Sequence, residues 1–222
     1  DVYNPSPVEK EKEKMGFIYV AGSTHLPDAK LLDGKFKRIG GDTYLKEKAK
    51  FMLAGYEATW AAQYKTKEDL KKKNKNFQWV KTRGIWDDMA SIFKQTGSCE
   101  ILESVNLDEY INFYDLADVA LIPLQGTAWN SYKSELKIVE AACKGLPVIC
   151  SKVSPYADMK QGAGIMWVEH QDDWLRHIKY CVKNPSFVKE EGEKLATWVR
   201  EEYDLLKWNL VRYELFKSLM KC

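Results

Sequence analysis

The segment Pro123-Leu-Gln-Gly-Thr-Ala-Trp-Asn-Ser-Tyr-Lys-Ser-Glu-Leu-Lys-Ile-Val-Glu-Ala-Ala-Cys-Lys-Gly-Leu-Pro-Val-Ile149 decides the fold class. Just before it, Val119-Ala120-Leu121-Ile122 is an unbroken apolar run, the pattern of a strand buried on both faces. A Gly/Thr/Asn loop follows, then a helical stretch that Asn130 or Ser131 is placed to cap. Gly145-Leu146-Pro147 stops that helix ahead of the next apolar run. The same unit extends outward in both directions. Apolar runs at residues 17–21, 51–54, 119–122, 147–150 and 165–168 end at Gly22, Gly55, Pro123, Ser151 and Glu169, with helical patterns between them. Strands without alternation, spaced by helices, predict an α/β fold: a Rossmann-like, doubly wound parallel sheet whose ligand belongs at the carboxyl ends of the strands.

Within the deciding segment, Lys133, Lys137 and Glu140 fall at i, i+4 and i+7, which predicts one helix face, with Leu136, Val139 and Cys143 as the adjacent stripe against the sheet. A helix N-terminus with two lysines can neutralise a diphosphate. A carboxylate further in can accept hydrogen bonds from ribose hydroxyls. The spacing is equally that of a solvated face carrying a Lys137–Glu140 ion pair, so on residues alone both readings stand.

The rest of the chain sets bounds. Its 222 residues carry 34 Lys+Arg against 32 Asp+Glu, a net charge of +2, which gives no global case for binding nucleic acid or an acidic membrane. No apolar run approaches a membrane span and no signal peptide is visible, so the expectation is a soluble, cytoplasmic protein or one peripheral to a membrane. Five cysteines (99, 143, 150, 181 and 222) lack C-x-x-C spacing and read as free thiols. His25, His170 and His177 are too scattered for a metal cage, so no metal site is expected. The lysine-rich runs at 9–14 and 71–76 lack interleaved aromatic residues and read as solvated surface.

The expected organisation is a lead-in or linker over 1–15, a Rossmann-like domain over 16–168, and C-terminal helices over 169–222 packing on the same domain. Those helices are read at 172–182, 187–199 and 203–219, the last with Leu206, Leu210, Tyr213 and Phe216 on one stripe turned to the core. The opening Asp1-Val2-Tyr3-Asn4-Pro5, without an initiating Met, reads as a piece of something longer.

Three motifs share an order with a known family. The segment Trp129-Asn130-Ser131-Tyr132-Lys133-Ser134-Glu135-Leu136-Lys137-x-x-Glu140-x-x-x-x-Gly145-x-Pro147-Val148-Ile149-x-Ser151 resembles the donor-site motif of group 1 (family 4-like) GT-B glycosyltransferases. Upstream, Tyr110-x-x-Phe113-Tyr114-Asp115-Leu116-Ala117-Asp118-Val119-Ala120-Leu121-Ile122-Pro123-Leu124 is similar to the helix and strand preceding it. Gly22-Ser23-Thr24-His25-x-x-Asp28 resembles the glycine loop after the first strand of the family's C-terminal domain. The likeness spans about residues 17–157 and concerns the donor-binding half alone.

The resemblance implies a retaining, metal-independent transfer of a hexose-type sugar from a UDP- or GDP-sugar to a saccharide, lipid or protein acceptor, with the nucleotide sugar as substrate and no cofactor. It implies that Glu140 holds the ribose, that Lys133, Lys137 and the backbone at Ser134 face the diphosphate, and that Asn130 belongs to the same loop. Gly22 and Ser23 would approach the phosphates, glycine offering no Cβ to obstruct them. The strand-end segment 104–107, Val105 included, would contact the base. His25 is a candidate donor to phosphate or sugar, or else a loop histidine bonded to Asp28. An acceptor-binding N-terminal domain is then expected in a longer chain or a partner.

The chain departs from the family where Tyr132 stands in place of the first of two glutamates, so that this carboxylate is either missing or replaced by Glu135, and where Ser131 stands in place of an arginine. Lys81-Thr82-Arg83 reads as a surface loop. The competing reading is a Rossmann-like nucleotide-binding or protein-interaction module without catalysis. A phosphorylase or epimerase domain fits less well, because the Lys-Ser-x-Leu-Lys-x-x-Glu pattern points to the transferases.

Overall fold

The structure, a computed structural model, describes residues 14–57, 79–159 and 163–220. Six parallel strands form one sheet: β1 (Met15–Val20), β2 (Ala49–Tyr56), β3 (Cys99–Glu103), β4 (Val119–Ile122), β5 (Val148–Ser151) and β6 (Ile165–Val168), in the order β3-β2-β1-β4-β5-β6. This is the doubly wound order, and its switch point lies between β1 and β4, which pair at Phe17 with Val119. The five strands read from apolar runs are all present. β1 starts at Met15, one residue inside the expected lead-in. The sixth strand, β3, was not read as an apolar run because Cys-Glu-Ile-Leu-Glu is an edge strand whose residues remain partly exposed.

Helices flank both faces: α1 (Leu26–Ala29), α2 (Asp33–Gly40), α3 (Thr43–Lys48), α4 (Trp79–Lys94), α5 (Leu136–Cys143), α6 (Asp173–Lys183), α7 (Pro185–Glu202) and α8 (Leu205–Leu219). Alternate strand residues enter opposite cores. Phe17, Tyr19 and Phe51 pack with Phe36, Phe93 and Trp174, whereas Ile18, Met52 and Ala120 pack with Tyr114, Ile138 and Leu195. Burial on both faces explains why the strands read as unbroken apolar runs. Residues 81–83 lie on α4 and not in a loop; the runs at 9–13 and 71–76, with Cys222, fall outside the described residues. Cys99, Cys143, Cys150 and Cys181 are free thiols. No helix among the described residues is long and apolar enough to cross a membrane.

Gly145 ends α5 as expected, with φ of +74°. Gly55 has φ of +96°, and a Cβ there would lie 2.4 Å from the Ala21 carbonyl oxygen, so only glycine lets the ends of β1 and β2 meet side by side. That contact shapes the crevice described below.

The expectation for the last helix fails. α8 is capped by Asp204, whose carboxylate accepts from the Leu206 and Lys207 amides, yet none of its residues is buried, and Leu206, Leu210, Tyr213 and Phe216 are all exposed. The stripe is real, but nothing among the described residues covers it. Changing Leu206, Leu210 and Phe216 together to Glu is therefore expected to reduce self-association in light scattering while moving Tm by no more than about 1 °C, since these side chains bury nothing.

Candidate functional site

A cleft of about 480 Å³ opens at the carboxyl ends of β1, β2 and β3, beside α5. Of the residues expected at the site, Gly22, Ser23, His25, Val105, Lys137 and Glu140 line it. Trp86, Tyr110 and Phe113, to which the sequence assigns no site role, join them, as does Leu136, expected on the stripe against the sheet. Tyr110 and Phe113 stood in a quoted motif, so their spacing was visible. Trp86 lies on a crossover helix with no local signal that it faces a ligand crevice.

The segment before α5 departs from expectation. Asn130–Tyr132 forms a short 3-10 turn, Lys133 is extended with ψ of 171°, and the α-helix begins only at Leu136 with Glu135 as its uncapped N-cap. Asn130 and Ser131 therefore do not cap it, and Lys133 does not share a helix face with Lys137 and Glu140. The helix phase also differs: Ile138, Ala141 and Ala142 pack against the sheet, while Leu136 is exposed toward the cleft and Val139 and Cys143 are only partly buried. Three expected residues lie off the cleft wall. Ser134 is exposed in the extended segment. Asn130 is buried, its amide donating to the Gln125 carbonyl at 2.8 Å and toward Asp28 at 3.4 Å. Lys133 stands 4.0 Å from Asp28 and is not part of the cleft lining. Glu135, the candidate replacement carboxylate, accepts from the Tyr203 hydroxyl at 2.6 Å and is absent from the cleft wall.

Lys137 and Glu140 do share the cleft, but they do not form the ion pair that spacing allowed. The Lys137 ammonium donates to the Val20 carbonyl at 2.6 Å and sits 5.3 Å from the centre of the Tyr19 ring. It makes no ion pair among the described residues. Burial lowers its pKa to about 8, against the upward pull of Glu140 and Asp28. Glu140, 5% exposed, instead accepts hydrogen bonds from the Tyr110 and Tyr114 hydroxyls on its two oxygens. Each carboxylate oxygen keeps a further lone pair that can accept from a ligand hydroxyl.

Asp28 organises the loop after β1. Its Oδ2 is 2.8 Å from His25 Nδ1, and its Oδ1 accepts the Gln125 amide at 2.8 Å. Burial pushes the Asp28 carboxyl up, but the His25 and Gln125 hydrogen bonds outweigh it and hold the pKa below the ordinary value. At His25, the Asp28 hydrogen bond pulls upward, yet burial together with Lys137 and Lys133 leaves the ring below its usual 6.5. Burial and the two lysines thus favour the neutral imidazole. The structural role weighed for His25 is thus present, within a residue that also faces the cleft.

Gly22 has negative φ (−99°), and a Cβ added there would meet nothing within 4 Å. The fold does not require glycine at this position, so the open space beside it belongs to whatever enters the cleft. Gly22→Ala is expected to leave Tm unchanged or raise it slightly, by about 0.4–1 kcal/mol of unfolded-state entropy. It is expected to weaken binding of a phosphate-bearing ligand in calorimetry.

No family profile matches this sequence, and no curated protein sequence matches it either. Solved structures do. Sucrose-phosphate synthase from Thermosynechococcus elongatus superposes with a TM-score of 0.60 at 15% identity, over 93% of this chain and 46% of that one. HepE of Anabaena in complex with UDP gives 0.62 at 11%, over 93% and 49%. A UDP-forming trehalose-phosphate synthase from Burkholderia vietnamiensis gives 0.63 at 12%, over 94% and 45%. The fold is one shared with GT-B glycosyltransferases. At these identities the likeness establishes architecture, and the chain spans about half the length of each of these three structures. Among the described residues no group of three His, Cys, Asp or Glu side chains is arranged to hold a metal ion.

Proposed function

We propose that this chain is the donor-binding half of a glycosyltransferase that uses a nucleoside diphosphate sugar, with UDP as the first base to test because HepE has been solved with UDP and with UDP-glucose. One observation carries the reading. Lys137 places a partly buried ammonium, without an ion pair among the described residues, at the switch point of the sheet, beside the N-terminus of α5 and next to a glycine loop with room left open. That combination suits a diphosphate.

In this reading Lys137 faces the diphosphate, with Lys133, beside Asp28, adding field and the Gly22-Ser23 backbone approaching the phosphate oxygens. Glu140, oriented by Tyr110 and Tyr114, holds the ribose hydroxyls, and Val105 lies at the base end. Cleavage of a glycosyl phosphate bond builds negative charge on the leaving diphosphate. Fixed cations and helix N–H groups stabilise that charge in place, so the transfer is proposed to be metal-independent. Retention of anomeric configuration is proposed from the motif resemblance. The acceptor, whether saccharide, lipid or protein, is assigned to a further domain or partner, and the uncovered apolar face of α8 supports the existence of such a neighbour.

Calorimetry with UDP and GDP, with and without EDTA, tests the reading. Binding of one of them unaffected by EDTA is the expected result. Absence of binding for both overturns it.

A further inference from the structure

We propose that His25 is a hydrogen-bond acceptor for a hydroxyl of the transferred sugar, and that Asp28 holds it in that state; the inference rests on the donor-site reading above. The geometry fixes the tautomer. Asp28 is buried and accepts the Gln125 amide on one oxygen, so the other oxygen, 2.8 Å from His25 Nδ1, is an acceptor that requires Nδ1 to carry the proton. In a neutral ring the second nitrogen, Nε2, is then a lone-pair acceptor. No partner for it is found among the described residues, and the side chain lines the cleft.

An acceptor suits only one part of a nucleoside diphosphate sugar at this place. Phosphate oxygens offer lone pairs and would be repelled by the Nε2 lone pair, while the two lysines already serve the phosphates. The ribose hydroxyls have Glu140. Along α5 Glu140 lies one turn beyond Lys137, whereas His25 is tied through Asp28 to Gln125 and Asn130, which precede that helix, and Lys133 stands 4.0 Å from the same carboxylate. The order along the crevice is therefore Glu140, then Lys137, then His25. If Glu140 marks the ribose and Lys137 the diphosphate, His25 stands on the far side of the diphosphate, where the sugar hydroxyls are. This reverses the donor role that the motif alone suggested for His25.

Two substitutions separate the roles. His25→Asn keeps an amide donor for Asp28 near the Nδ1 position and removes the Nε2 acceptor. In Asp28→Asn the retained oxygen continues to accept the Gln125 amide, so the new amide nitrogen faces His25 and forces the proton onto Nε2, turning acceptor into donor. The full chain is titrated by calorimetry with UDP, GDP, UDP-glucose, UDP-N-acetylglucosamine and GDP-mannose. The wild type is expected to gain affinity from at least one sugar, and both variants to lose about three- to tenfold of that gain, with a much smaller change for the matching nucleoside diphosphate. Nitrogen-15 NMR is expected to show the Nδ1–H tautomer at neutral pH, moving to Nε2–H in Asp28→Asn. No gain from any sugar in the wild type, parallel losses for sugar and diphosphate, or an Nε2–H tautomer in the wild type overturns the inference while leaving the donor-site reading intact. Failure of both UDP and GDP to bind overturns both.

Discussion

Replacing Lys137 by methionine is expected to raise the stability of the protein and to abolish its affinity for nucleoside diphosphates. In the unliganded chain the ammonium is held in a partly buried place that lowers its pKa from 10.5 to about 8, which corresponds to about 3 kcal/mol of unfavourable interaction at neutral pH. Methionine fills a similar volume without that cost. Against this, the variant loses a hydrogen bond to Val20 and a cation contact with Tyr19, together about 1–2 kcal/mol. The net gain of about 1–2 kcal/mol should raise Tm by about 2–8 °C for a chain of this size. A residue that destabilises its own fold and is needed for ligand is the signature of a site kept for binding.

The pH dependence has a definite sign. Between about pH 8 and 10.5 the unfolded lysine holds a proton that the folded one has released, so this residue makes stability rise with pH across that window. The methionine variant lacks the rise. Ligand affinity runs the other way, because a diphosphate prefers the charged lysine: wild-type binding of UDP should weaken as pH climbs above about 8. Calorimetry and thermal melts from pH 6 to 10 measure both trends, and a Lys137→Met protein that melts lower and still binds UDP would contradict the assignment.

The second large effect is expected at Glu140, where fold and binding can be pulled apart. Glu140→Ala removes the shared acceptor of Tyr110 and Tyr114, leaving the buried Tyr114 hydroxyl without this partner, which should cost about 1–3 kcal/mol of stability. The same change removes the carboxylate proposed to hold the ribose, a further loss of about 1.5–3 kcal/mol in nucleotide binding, or about ten- to a hundredfold in Kd. Glu140→Gln retains one carbonyl oxygen and offers its amide to a tyrosine hydroxyl, which can accept. Its melting temperature should therefore stay near wild type while UDP binding weakens about tenfold. Were the glutamine variant to bind UDP as tightly as wild type, Glu140 would be a support for the two tyrosines alone.

How far local sequence carries the reading can be judged residue by residue. The unbroken apolar runs located five strands, because burial on both faces leaves no room for polar alternation. β3 is not legible this way, because Glu100 and Glu103 interrupt the apolar run in an edge strand whose residues stay partly exposed. Lys137 and Glu140 were identified as a pair on the helix at the crevice, and they are there. Spacing assigns Lys133 to the same helix, but Ser134 and Glu135 intervene before α5 begins, and spacing cannot see where a helix starts when no side chain caps it. α8 shows the opposite limit: its helical pattern is legible, whereas nothing among the described residues covers its apolar side chains, and helical periodicity alone does not say whether a stripe faces a core or solvent.

The strand-and-helix alternation, the glycine that stops α5 and the residue types of the crevice follow from local composition and periodicity, which act over a few residues and leave their mark in the chain. Which partner each charged group takes was settled by folding. Lys137 turned to the Val20 carbonyl and not to Glu140, Glu140 turned to two tyrosines 26 and 30 residues away, and Asp28 drew in Gln125 from 97 residues along the chain. The reason is physical: a charge leaving water must find hydrogen bonds in whatever the packed strands bring within about 3 Å, and that set is defined by the sheet order β2-β1-β4 and not by sequence spacing.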